Sequence, residues 1–572
     1  MPASPRKPGA LGAFCLVLHG HLPWVLHHGR WPHGEDWLFE AACDSWMPLL
    51  EVLDICAEEG IRPGWTLGLT PIVLEQLAHD RFRSGFETYL DHLVERARMD
   101  AAEFEARNDP ELVALAMRWD ATYTAMKARF LAMDRDIAAC AASHAAAGRI
   151  ELLSSNATHG YMPLILHDAS SKAQLRAGLA TSERHFGLRP QGIWLPECAY
   201  RPPGPWSPPA VHGDVRWRAG VATILEAEGV RYCVVDTHLV RESKSEAVID
   251  DGVLHKVSWD QAAWDESRAW GSELEPLRVW EEGRATDLTV FGRCPDVAEP
   301  VWSGIVGYPG DPRYLEFHKR HGPRGLRYWR VSGKVDLGLK EPYAVDAVED
   351  AVAAHADHFA SVVRDLLRSH HVKYGRYGTV CAPFDAELFG HWWAEGPRFL
   401  LEVARRLAAD PHIEASTLGD VAAEHPADRA AALPEGSWGA GGDHRVWNND
   451  ELRLYWEVAY RAEDRFLDLW HTIPWRQDPG LTELLTASAR ELLLLQASDW
   501  PFVVSTRGAV DYGLRRIFDH AARFEDLCNG LQDLYKDPDA PMDPTVADAL
   551  KAAQAREPVF PDLDLEWWGQ AP

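Results

Sequence analysis

At 572 residues, 46% of them hydrophobic, the chain is too long for a single core and too apolar to be disordered or fibrous. A large catalytic domain with accessory parts is expected. Its 86 acidic against 58 basic residues leave a formal charge of -28, which repels nucleic acid and anionic membranes but suits a neutral polysaccharide. The nine cysteines are odd in number and form no CxxC, so neither a disulfide framework nor a thiolate zinc site is indicated, and a reducing cytoplasm fits best.

The N-terminal apolar run, Leu11 to Leu18, is short and leads straight into His19 without a small-residue cleavage site, so it reads as a first buried strand rather than a signal peptide. No other stretch approaches the roughly 20 apolar residues of a membrane span. Further along come IRPGWTLGL (61–69), RIELLSS (149–155), GIWL (192–195), VRYCVVD (230–236), DLTVFGR (287–293) and GTVCAPF (378–384). With AFCLVL (13–18) these make seven short apolar runs, each ending in a polar or aromatic loop and followed by a helical pattern. That alternation argues for an α/β fold with a parallel sheet covered on both faces, closed or nearly closed into a barrel.

Two segments break the pattern. Between Glu75 and Gly148 the chain is rich in Ala, Glu and Arg, has one proline at Pro110, and shows helical apolar spacing, which predicts a helical insertion. After about residue 411 the strand-like runs give way to stretches such as LTELLTASARELLLLQAS (481–498), which read as helices. The expected organisation is a barrel from residues 1–75 and 149–410, an insert at 76–148 and a C-terminal helical domain at 411–572.

The chemistry-bearing residues fall at strand ends. WLPECAY (194–200) places Glu197, and CAPFDAELFGHWW (381–393) places Asp385, where an apolar run opens into an aromatic loop. In a barrel of alternating strands and helices such ends share one mouth. Two carboxylates there suit cleavage of a glycosidic bond, which needs an acid for the leaving oxygen and a carboxylate for the sugar carbon, about 5–5.5 Å apart in retaining enzymes. His19 and His21 close the first strand, at a spacing that shares a face, and suit substrate or metal contact. A zinc hydrolase is the rival reading, but the chain has no HExxH helix and no three ligands at fixed local spacing. Of 25 tryptophans, Trp24, Trp31, Trp37, Trp206, Trp302, Trp392, Trp393, Trp438, Trp447 and Trp500 fall in loop-like contexts. Trp438 and Trp447, flanked by Gly, Asn and His in PEGSWGAGGDHRVWNND (434–450), look like sugar platforms.

These segments together resemble glycoside hydrolase family 57, and within it the members that branch α-1,4-glucans. The matching segments are HGHLPW (19–24), IELLSSNATHGYMPLI (150–165), WLPECAY, APFDAELFGHWWAEGP (382–397) and ASDWPF (497–502), in the family's order, with VWSGIVGYPGDPRYLEFHK (301–319) and SWGAGGDHRVWNND (437–450) in addition. The resemblance implies a distorted (β/α)7 barrel with a helical insert and a C-terminal helical domain. It implies Glu197 as nucleophile, Asp385 as general acid/base, and His19, His21, Trp31, His159, Trp302, Trp438, Trp447 and Asp499 as substrate contacts, with no metal or cofactor. The partner it implies is an α-glucan such as amylose, amylopectin or glycogen, with no nucleic acid or membrane and a monomeric protein. A hydrolase or 4-α-glucanotransferase on the same scaffold is the alternative, and a non-catalytic glucan-binding protein the second. The sequence departs from the family after the run VRYCVVD. Branching members carry a tyrosine near the tip of the following loop, whereas none occurs here between Tyr232 and Tyr308, and Trp259 and Trp264 are the aromatic substitutes on offer.

Overall fold

Each of the seven apolar runs becomes a strand: β1 (Gly12–Gly20), β2 (Trp65–Leu69), β3 (Ile150–Leu153), β4 (Gly192–Ile193), β5 (Tyr232–Val235), β6 (Arg284–Gly292) and β7 (Gly378–Asp385). The structure, a computed structural model, describes residues 7–209, 214–250, 253–256, 272–323 and 325–569. β1 pairs with β7 and β2, β2 with β3, β4 with β5, and β5 with β6, always in parallel. Two single parallel bridges, Ser154 to Ile193 and Arg293 to Cys381, join β3 to β4 and β6 to β7. The sheet therefore closes on itself as a (β/α)7 barrel, with helices such as Met47–Glu58, Asp168–Phe186 and Val345–Tyr374 in the connections.

Strand periodicity decides what reaches the barrel mouth. Ala13, Cys15 and Val17 of β1 pack inward with Tyr232, Val234, Phe291 and Cys381. Phe14, Leu16 and Leu18 belong to the outer core beneath the helices. Side chains alternate faces along a strand, so the inward series of β1 continues to His19 and that of β7 to Asp385. The register sets Cys15 beside Cys381, Val17 beside Pro383, and His19 beside Asp385. Small residues of β1 and β7 make room in the interior for the rings of Tyr232 and Phe291, and Cys15 and Cys381 serve there as compact apolar residues with unpaired thiols.

The insertion between β2 and β3 is helical, comprising Asp80–Ala106, Pro110–Ala132 and Ile137–Ala146. The lone proline lies at the first turn of the second helix, and Asp109 caps it by accepting from the Leu112 N–H at 3.2 Å. Strands persist past residue 411, where the sequence suggests helices alone. Ile413–Ala415 pairs with β1, and Arg429–Ala432 joins a sheet extension that includes Leu277–Glu281. Both strands are short, and alanine-rich RAAA has little strand propensity to betray it. The segment after residue 243 also differs from an open loop. Lys244–Asp250 and Val253–Lys256 form an antiparallel pair, and the first of them lies against Arg429–Ala432. Trp259 and Trp264 lie outside the described residues.

Long helices dominate the remainder, among them Arg453–Thr472, Pro479–Leu495 and Val510–Lys536. No helix of the described residues is long and apolar enough to cross a membrane. A buried ionic cluster fastens these helices to the loop after β1. Arg516 donates to the Trp24 carbonyl and to Glu557 Oε1 at 3.1 Å, while Arg523 and His520 engage Glu491 at 2.8 Å each. A buried charge deprived of its partner costs about 3–5 kcal/mol. Because Arg523 also reaches Glu557, Arg516→Leu is expected to destabilise the protein by about 3 kcal/mol, the low end of that range, as measured by denaturant unfolding.

Candidate active site

Glu197 sits on the tight turn Pro196–Cys198 that ends β4, with its backbone in the left-handed region at φ 59°. Cys198 and His159 share that conformation at φ 48° and 58°. Such backbone costs about 1–3 kcal/mol per residue and persists only where the surroundings impose it, commonly at functional sites. The turn aims the carboxylate at two donors. The Trp438 indole N–H gives to Oε2 at 2.8 Å, and the Ser498 hydroxyl gives to Oε1 at 3.2 Å. The Glu197 carbonyl in turn accepts from the Trp438 backbone N–H at 3.1 Å, which fixes the tryptophan loop to the turn.

Asp385 ends β7 and accepts no hydrogen bond from any described protein group, so its environment is the opposite of that of Glu197. Burial first, then the neighbouring Glu387 and Glu197 carboxylates, raises its pKa well above the ordinary value. Burial also pushes Glu197 up, to about 7, against the lowering effect of the Trp438 and Ser498 hydrogen bonds and of His21. Glu387 is a third carboxylate at the mouth. It accepts from the Trp46 indole at 2.8 Å and from the His21 backbone N–H at 3.2 Å, and burial pushes it up to about 7.

The histidines form one packed group. His19 stacks on Trp194 with ring centroids 4.4 Å apart and meets His159 through their Nε2 atoms at 3.1 Å. His21 stacks on His159 at 4.0 Å and places Nδ1 2.9 Å from Thr70 Oγ1 and Nε2 3.0 Å from Asp499 Oδ2. Burial holds His19 and His159 well below the usual histidine range. For His21 burial is outweighed by Asp499, through charge and hydrogen bond, and the pKa is raised.

Glu197, Asp385, His19, His21, His159, Trp438 and Asp499 are thus brought together. Trp302, 37% exposed, joins them edge-on to Trp438 with ring centroids 6.4 Å apart. Trp31 is 57% exposed and lines a cleft of about 550 Å³ with Tyr89 and Tyr123 of the insert. Trp447 corrects the sequence reading, because it is only 1% exposed and packs on Tyr161 at 4.9 Å rather than standing as an open platform. Trp24, Trp393 and Trp500 are likewise core residues. The C-terminal helices cover Trp24, and contacts so distant leave no local trace. Ser498, Thr70, Trp194 and Glu387 were not singled out by sequence reasoning. Ser498 adjoins Asp499 in ASDWPF and Glu387 lies two residues past Asp385, so adjacency was the available signal.

Residues 15–434 match the family described as glycosyl hydrolase family 57. The chain belongs to glycosyl hydrolase family 57. Residues 458–568 match a further family described as 1,4-alpha-glucan branching enzyme, C-terminal. Among family 57 relatives, a 1,4-alpha-glucan branching enzyme of Thermococcus kodakarensis is 37% identical over 522 residues, 91% of this chain and 74% of that protein. A crystal structure of a family 57 branching enzyme from Pyrococcus horikoshii superposes with a TM-score of 0.87 at 35% identity, covering 98% of this chain and 97% of that one. An alpha-amylase structure from Thermotoga maritima has a TM-score of 0.79 at 25% identity, covering 98% and 99%.

With Asp499 neutralised, burial of His21 is opposed only by the Glu197 and Glu387 carboxylates among its main influences. Asp499→Asn is therefore expected to lower the His21 pKa relative to the unsubstituted protein, read by histidine-selective NMR titration.

Proposed function

We propose that this protein is a retaining transglycosylase that cuts α-1,4-glucan chains and rejoins them through α-1,6 linkages. The observation that carries the glycosyl-transfer chemistry is the pairing of Glu197, held by two donors, with Asp385, held by none among the described residues. Environments that separate two carboxyl groups in this way assign one as the anion and the other as the acid. The branching outcome rests on the C-terminal match and on the relatives named for that activity.

Asp385, protonated, gives its proton to the leaving glycosidic oxygen as a Glu197 oxygen bonds to the anomeric carbon, and the donor chain is left as a glycosyl ester. The released end departs. A 6-hydroxyl of a second glucan then loses its proton to Asp385 and displaces Glu197, which restores both carboxyl groups and creates the branch. Trp438 and Trp302 offer aromatic faces to the sugar rings, and His19, His21, His159 and Asp499 supply donors and acceptors for hydroxyls. We take the protein to work as a cytoplasmic monomer, its nine unpaired cysteines suiting a reducing compartment.

Hydrolysis is the second reading, favoured by the likeness to the Thermotoga amylase structure, since water can replace the 6-hydroxyl with no change in the two acids. Incubation with amylose, followed by debranching, separates the two: α-1,6 branches in excess of new reducing ends are expected, and an absence of branches would reject the branching assignment. Asp385→Asn is expected to lower turnover by about 10²–10⁴-fold. The kcat/KM profile is expected to rise through about pH 7 as Glu197 ionises, and to fall again where Asp385 loses the proton that burial retains.

A further inference from the structure

A polar chain runs from the Glu197 carboxylate back to the interior of the barrel. Ser498 Oγ lies 3.2 Å from Glu197 Oε1 and 2.8 Å from His159 Nδ1, and His159 Nε2 lies 3.1 Å from His19 Nε2. Ser498, His159 and His19 are all buried.

The order of protons along this chain follows from what each group can do. An ionised carboxylate only accepts, and a hydroxyl has one proton. With that proton directed at Glu197 Oε1, Ser498 Oγ is left to accept from the His159 Nδ1–H. Neutral His159 then presents a bare Nε2, which accepts from the His19 Nε2–H. The chain ends at His19 Nδ1 as a lone pair, and that atom is buried without a partner among the described residues. The reverse order would turn the serine lone pairs toward an anion and leave an N–H at the buried end, and orphaned buried N–H groups are rarer than under-satisfied acceptors. The one-way order needs both histidines neutral, the form that burial favours. His21 stays outside it, committed to Thr70 and Asp499.

We propose that Ser498 is the positioning residue of the nucleophile: the His19–His159 pair locks its hydroxyl so that its proton is available only to Glu197 Oε1. With the rigid Trp438 indole on Oε2, both carboxylate oxygens are then held, which fixes the carboxylate plane and favours the anion. Ser498 touches no reacting atom in this role and acts through Glu197. The inference rests on the reading of Glu197 as nucleophile.

The test compares Ser498→Ala with Ser498→Thr on amylose, with the folding of each verified by thermal melting. His21, His159, Asp385 and Asp499 also face Glu197, and all remain in both variants. Ser498→Ala is expected to lower kcat about tenfold with KM little changed, the loss typical of one hydrogen bond to a charged group. It is also expected to move the acidic limb of kcat/KM upward by about one pH unit, because the anion has lost a donor. Ser498→Thr, which restores the hydroxyl, is expected to return both. If Ser498→Ala does not fold, Ser498→Cys, a weaker donor of similar size, should place the limb between wild type and the expected alanine position. An acidic limb unmoved in a folded alanine or cysteine variant, or left displaced in the threonine variant, would overturn the proposal. Glu197→Ala with added azide checks the underlying reading separately. If that variant keeps its rate, the nucleophile assignment fails, whereas a dead variant rescued by azide beside an unmoved Ser498→Ala limb rejects only the role of Ser498.

Discussion

Two carboxylates dried at one barrel mouth cannot both be charged unless something stabilises the second charge, and that constraint shapes everything around the site. Removing a carboxylate from water favours its protonated form, and a neighbouring acid adds to the effect. Asp385 has both influences and, among the described residues, no donor to oppose them. Glu197 has the same burial, but an indole N–H and a hydroxyl meet its oxygens. The difference between the two acids thus resides less in the barrel than in the groups delivered to one of them.

Those groups come from far along the chain. Trp438 lies in the loop after the strand Arg429–Ala432, and Ser498 and Asp499 lie where Pro479–Leu495 gives way to Asp499–Ser505. The barrel fixes backbone positions at its strand ends, and the helical region supplies the polar side chains that differentiate the acids. The buried Arg516, Arg523, Glu491 and Glu557 cluster serves the same end from the other side, by tying the helices to the loop that follows His19 and His21. Displacing these helices would disturb the electrostatics of the site while leaving every barrel strand intact.

The barrel was legible in the sequence because its signal is local. A strand buried on both faces must be apolar for several residues and then stop, and all seven such runs became strands. The inward placement of His19 and Asp385 follows from the same alternation. What depends on distant contacts was not legible. Trp447 stands among Gly, Asn and His in sequence, yet Tyr161 and Phe502, hundreds and tens of residues away respectively, close over it. The alanine-rich strand Arg429–Ala432 owes its state to the strands on either side. The hydroxyl of Ser498 matters only through the histidines and the carboxylate that surround it, none of which lies within three hundred residues of it in the chain.

Such dispersal has a consequence for the chain as it is made. The site draws on residues 19, 159, 197, 385 and 438 before it is completed by 498 and 499. A ribosome-bound chain that has not yet released residue 499 lacks the donor on Oε1 and the anion beside His21. Synthesis order therefore sets assembly order: the side chains that tell the two acids apart are among the last to leave the ribosome.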